Sequence, residues 1–255
     1  MLRQAKDLNG YKLGALDGEI GKVKEFYFDD QNWTVRYLVA DTGDWLPGRG
    51  VLISPYALDP ASTDDKVIPV DLTKKQIENS PSLDTDKPVS RQYEMLYYPY
   101  YGWPAYWDGP DVWGAAAYPK RGLGGWSETT RHTAGDDPHL RSTKNVTGGT
   151  VQAQDGEIGH VEDFIVDDET WAIRYLIVET QSWWPSKKVL IATRWIERIS
   201  WEESNVFVSL TRETIKQGPE YREGDLLTRD YETKLHRHYN REGYWADELT
   251  RKRAS

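Results

Sequence analysis

Cysteine is absent from the 255 residues. Its absence excludes disulfides, thiolate catalysis and every cysteine-ligated zinc or iron–sulfur site, and a reducing, cytoplasmic setting is the expectation. Long apolar runs are also missing: no window holds the roughly 20 apolar residues of a membrane span, and the start carries no apolar leader core. Phenylalanine and methionine are scarce, at four and two, against twelve tryptophans and sixteen tyrosines. The aromatic excess needs a location. A net charge of −9 repels phosphate backbones and anionic headgroups, so a nucleic-acid partner is not expected.

The sequence repeats itself. Asp17-Gly18-Glu19-Ile20-Gly21 recurs as Asp155-Gly156-Glu157-Ile158-Gly159, 138 residues on. The same offset pairs Leu2-Arg3 with Leu140-Arg141, Asp29-Asp30 and Trp33 with Asp167-Asp168 and Trp171, and Arg36-Tyr37-Leu38 with Arg174-Tyr175-Leu176. It continues through Trp45/Trp183, Pro47/Pro185, Leu72-Thr73/Leu210-Thr211 and Pro81/Pro219 to Tyr106-Trp107/Tyr244-Trp245. Roughly a third of positions are identical, without a gap, between 2–107 and 140–245.

Residues 22–29 and 34–41 are β-branched or aromatic runs around an acidic turn, and 161–167 and 172–179 repeat them, so each pair reads as a hairpin. Further strands are expected at 51–54, 66–70, 189–192 and 205–210. Thr73 and Thr211 read as N-caps of short helices over 74–79 and 212–217, ended by Pro81 and Pro219. Five or six short strands in under 80 residues argue a small closed or nearly closed barrel.

The run Leu-Arg-x-x-Lys, then Asp-Gly-Glu-Ile-Gly, Asp-Asp-x-x-Trp, Arg-Tyr-Leu and the Leu-Thr…Ile…Pro close resembles the PRC-barrel family, in both copies. They differ where Pro69 faces Phe207 and Arg49-Gly50 faces Lys187-Lys188. The tail from Arg229 to Trp245 resembles extensions that follow bacterial stand-alone members. The resemblance implies a mainly β chain of two tandem barrels, and a protein-interaction or assembly role. The family name comes from the photosynthetic reaction-centre H subunit, so a photosynthesis-linked accessory of that type, with peripheral association to a membrane complex, is the alternative.

The expected organisation is a barrel over 1–81, an aromatic tail over 82–107, a linker over 108–139, a second barrel over 140–219 and a tail over 220–255. Two similar modules on one chain are expected to pack as a pseudo-twofold pair, an intramolecular dimer with Tyr106-Trp107 and Tyr244-Trp245 reaching the opposite barrel.

No Ser–His–Asp spacing, glycine-rich phosphate loop or His-Glu-x-x-His run occurs, so no enzyme activity is expected. The acidic doublets lack calcium-loop spacing and read as turns on a solvated surface. Five histidines, His132, His139, His160, His236 and His238, show no ligand cluster and read as solvated; no metal or other cofactor is expected. Arg36 and Arg174, inside strands, call for a carboxylate partner. Trp33, Trp171, Trp45 and Trp183 read as core or loop anchors. The candidate partner-binding residues are Tyr97, Tyr98, Tyr100, Tyr101, Trp103, Tyr106, Trp107, Tyr244 and Trp245, because tyrosine and tryptophan dominate interface hot spots. Prolines and Gly102 in that stretch exclude a long helix. The other use for so many aromatics is packing against a barrel.

Overall fold

The repeated Asp-Gly-Glu-Ile-Gly motif closes a hairpin and caps a helix in the same five residues. In the computed structural model, which describes residues 1–47, 49–81, 89–120, 140–180 and 186–246, Asp17 Oδ1 accepts the Lys74 N–H at 2.7 Å and Asp155 Oδ1 accepts that of Arg212 at 2.7 Å. Both donors open short helices, where main-chain N–H groups lack intrahelical partners. Ile20 and Ile158 enter the cores. The closing glycine is required by space: a Cβ on Gly21 would lie 2.1 Å from Asp41 O, and one on Gly159 1.9 Å from Glu179 O. Their φ angles, 135° and 151°, suit glycine alone. Replacing Gly159 by Ala is expected to cost more than about 1 kcal/mol, read as a lower urea midpoint; an unchanged midpoint would refute the steric argument.

The first copy runs β1 (Leu2–Gln4), α1 (Ala5–Leu8), β2 (Lys12–Ala15), β3 (Gly18–Asp29), β4 (Thr34–Asp41), β5 (Val51–Ile53), β6 (Val67–Val70), α2 (Lys74–Glu78) and α3 (Arg91–Tyr101). The second runs β7 (Leu140–Ser142), β8 (Thr150–Ala153), β9 (Gly156–Asp167), β10 (Ile173–Thr180), β11 (Lys188–Ala192), β12 (Ile196–Ser200), β13 (Asn205–Val208), α4 (Arg212–Gln217) and α5 (Arg229–His238). The chain is mainly β, with two sheets. One has the order β5-β4-β3-β2-β6 with β7 beside β3; the other has the order β11-β10-β9-β8-β13-β12 with β1 beside β9. The two ends of the second path, β11 and β12, are joined by a single 3-10 turn, Thr193–Trp195.

Thr73 and Thr211 cap α2 and α4 as expected, Thr73 with a full capping box through Gln76. At the other ends, Arg49 donates to the carbonyls of Glu78 and Ser80, and Lys187 Nζ donates to those of Lys216 and Gly218 at 2.6 and 2.8 Å. Although Arg49 and Lys187 differ between the copies, both thus set a cation on the orphan carbonyls at the end of a helix.

Several expectations need correction. Residues 97–101 are helical, as the end of α3. Pro99 sits in the last turn, where it forfeits one hydrogen bond, and Gly102 stops the helix at φ 70°. The linker starts later than 108, because Trp113 is 1% exposed. Its remainder over 121–139, residues 82–88 of the first tail, residues 247–255 of the second, and Trp183, Pro185, His132 and His139 lie outside the described residues.

Contacts divide the chain into two units that do not coincide with the repeats. The first comprises Met1, Arg3–Asn145 and Phe164–Arg174; the second comprises Leu2, Val146–Asp163 and Tyr175–Ser255. The first unit therefore incorporates β7 and the tip of the β9–β10 hairpin, segments of the second copy. Within it, Val35 N–H donates to Trp171 O at 2.8 Å and Ile173 N–H donates to Trp33 O at 2.7 Å. Arg3 pairs with Asp168 at 2.7 Å and Arg141 with Asp30 at 3.0 Å. Each of these contacts has its counterpart 138 residues away. Trp33 and Trp171, at φ 50° and 59°, hold the left-handed conformation that bulky residues avoid.

Candidate interaction site

The aromatic tail of the first copy is a core, built around one carboxylate. Ser90 caps α3 by accepting the Tyr93 N–H at 3.3 Å, and the helix carries Glu94 inward to complete burial. There Glu94 Oε1 accepts the hydroxyls of Tyr37 at 3.0 Å and Tyr106 at 2.9 Å, while Arg91 Nη1 lies 2.9 Å from Oε2. A buried carboxylate is tolerated only with such partners. The Arg91 guanidinium in turn lies 3.9 Å over the Trp107 ring and 5.3 Å from that of Tyr106.

The second unit repeats the arrangement. Tyr175 donates to Glu232 Oε1 at 2.8 Å, Arg229 Nη1 lies 3.1 Å from Oε2, and the Arg229 guanidinium lies 4.2 Å over Trp245 and 5.1 Å from Tyr244. Each group stands 138 residues from its counterpart. The signal in the sequence is Arg91-Gln-Tyr-Glu94 against Arg229-Asp-Tyr-Glu232 at the offset already established. That quartet, and not the aromatics alone, marks the site.

Of the nine candidate residues, Tyr97, Tyr98, Trp103, Tyr106 and Tyr244 are buried, Tyr101, Trp107 and Trp245 are half-buried, and Tyr100 is 41% exposed. Tyr97 donates to Leu52 O at 2.9 Å and accepts the Ser54 N–H at 3.2 Å, which ties α3 to β5. Burial also raises the Tyr56 pKa to about 12. The tails pack on the strands of their own copies, Tyr106 through Glu94 to Tyr37 and Tyr244-Trp245 beside Arg229, which corrects the expectation that they reach the opposite barrel. Local chain order brings each tail home: α3 and α5 follow the last strand of their own copy.

A second buried ion pair lies in the first unit. Arg36 Nη2 is 3.0 Å from Asp29 Oδ2, Arg36 Nη1 donates to Val112 O at 2.7 Å, and the guanidinium lies 3.8 Å from the Tyr106 ring and 4.7 Å from that of Trp113. Trp113 Nε1 donates to Thr170 O at 2.8 Å. Asp29 also accepts the N–H groups of Gln31 and Asn32, so the turn chemistry stands. Its side chain is nevertheless buried, which corrects the solvated reading of this acidic doublet. Burial would raise the Asp29 pKa, but the Arg36 charge and the hydrogen bonds from Asn32, Arg36 and Gln31 outweigh it, leaving it below the usual carboxylate value. Asp167 shows the same balance with Arg174, at 2.9 Å and with more exposure. The carboxylate partners expected for both strand arginines are therefore these aspartates.

His236 corrects the solvated reading of the histidines. It is 3% exposed, with Nε2 3.0 Å from the Tyr175 hydroxyl and its ring between those of Trp195 and Trp245. Tyr98 holds its position in the first copy. His238 Nε2 meets Thr214 O at 2.8 Å, and His160 lies 3.5 Å from Glu179.

Residues 3–77 match the PRC-barrel domain family. A further match is an uncharacterized protein of Deinococcus radiodurans, 37% identical over 83 residues. That alignment covers 32% of this chain and 29% of the relative, so this chain spans under a third of the relative's length. The PRC-barrel match ends at α2, and the buried Arg-Glu-Tyr constellation of the tail lies outside it.

Proposed function

We propose that this chain is a non-enzymatic, cytoplasmic assembly protein of two PRC-type modules whose hairpin tips pair, presented together on one chain to a protein partner. The reciprocal hydrogen bonds of Val35 with Trp171 and Ile173 with Trp33 carry this reading. Contacts in which each side meets its own counterpart are the signature of an isologous association between like modules. Carrying both modules on one chain raises their effective concentration toward the millimolar range, so this pairing persists when the protein is dilute. The polar groups that recur in both copies act as helix caps, ion pairs and buried anchors, a use of charge that fits a scaffold. Among the described residues, no helix is long and apolar enough to cross a membrane.

The experiment is covalent cross-linking of the full-length protein in its native host, followed by mass spectrometry. The expected result is a discrete protein complex of fixed stoichiometry. Recovery of the chain alone, or turnover of a small molecule by the purified protein, would overturn the proposal.

A further inference from the structure

The two tails share their Arg-Glu-Tyr-Trp constellation but differ at buried positions such as Tyr97/Leu235 and Tyr98/His236, and the second of these differences has a chemical consequence. In the first unit that position is Tyr98, which is uncharged at any physiological pH; in the second it is His236. The Tyr175 hydroxyl gives its single hydrogen to Glu232 Oε1, so His236 Nε2 is the donor in their 3.0 Å contact, and the neutral Nε2–H tautomer fits the site. Around the ring stand Tyr175 of β10, Arg194 and Trp195 of the turn before β12, Arg229 and, through Tyr175, Glu232 of α5, and Glu242 and Trp245 beyond it, with Tyr239 against Trp195. Glu232 is already matched by Arg229 at 3.1 Å. A proton on His236 would place a third cation beside Arg194 and Arg229, on a residue that is only 3% exposed.

We propose that α5 is an acid-released latch: protonation of His236 undocks α5 and Tyr244-Trp245 from the second sheet, while α3 stays in place on the first. The latch is held by the Tyr175 contacts with Glu232 and His236 and by His238 Nε2 on Thr214 O. His238 can donate to that carbonyl in either protonation state, so the sensitivity resides in His236. Burial, with Arg194 and Arg229, lowers the His236 pKa below its ordinary 6.5, and the backbone of Glu242 opposes this only in part. Between the lowered folded value and 6.5 the unfolded chain binds more protons than the native one, so stability is full above about pH 6.5 and falls as the pH drops below it. Asp29 and Asp167, with pKa values below 3.8, respond only under far stronger acid.

The test is hydrogen–deuterium exchange with mass spectrometry on the full chain from pH 7.5 to 5, corrected for intrinsic exchange rates. Amides of Arg229–His238 are expected to lose protection several-fold across this range, while those of Arg91–Tyr101 keep theirs. His236→Phe removes the titrating group and is expected to abolish the loss. His236→Gln leaves a neutral amide within reach of Tyr175 and serves in its place if the Phe variant does not fold at pH 7.5. Retained protection of α5 at pH 5 in the unmodified protein, equal loss in both helices, or an unchanged acid response in the folded variant would each overturn the latch.

Discussion

Replacing Glu94 by Ala is expected to lower the stability of the first unit by about 3–5 kcal/mol, because it strands the Arg91 cation and leaves the hydroxyls of Tyr37 and Tyr106 without their acceptor. Thermal unfolding followed by circular dichroism would show this as a midpoint about 10 °C lower for a chain of this size. Part of the effect is recoverable. Arg91→Met in the Glu94→Ala background removes the unmatched charge, so the double variant should be more stable than Glu94→Ala alone. Glu232→Ala should act similarly through Tyr175 and Arg229. A loss below about 1 kcal/mol in both single variants would mean that these carboxylates are not the anchors of the tails.

Arg36→Leu is expected to cost a comparable amount, again about 3–5 kcal/mol, by leaving Asp29 charged in a site where its side chain is only 4% exposed. The equivalent Arg174→Leu should cost clearly less, since Arg174 and Asp167 remain 12% and 15% exposed and water can solvate the aspartate that is left. Arg36→Leu with Asp29→Asn should recover much of the loss, as apolar replacement of a buried pair often does. Urea unfolding of the four proteins gives the comparison. Equal effects of the two arginine substitutions would show that burial does not set the difference.

The strand pairs, both capping threonines and the arginine–aspartate pairing were legible in the sequence because each depends on neighbours within a short segment or on a charge that a strand cannot bury alone. Two local readings fell short. Pro99 and Gly102 excluded a long helix but gave no sign of the short one that ends there, since a proline in a last turn costs one bond and a glycine after it is a regular stop. His236 read as solvated for want of a ligand cluster, and only long-range partners such as Tyr37 and Tyr175, 57 residues from Glu94 and Glu232, reveal the buried constellations of the tails. The exchange of β7 and the second hairpin tip into the first unit has no local signal at all. Periodicity reports which face of a strand is covered, not which segment covers it.

That exchange also orders events in time. The first unit contains Phe164–Arg174, so it cannot be completed when residue 81, or even 119, leaves the ribosome. At about 5–20 residues per second, roughly 7–30 s separate synthesis of Arg36 from that of Arg174. Throughout that interval the Val35 N–H and Trp33 carbonyl of the β3–β4 hairpin lack their native partners. A nascent chain in this state presents an open strand edge, and two neighbouring ribosomes on one message would hold two such edges close together. Slower translation through residues 120–174 lengthens the interval in which that edge stands open.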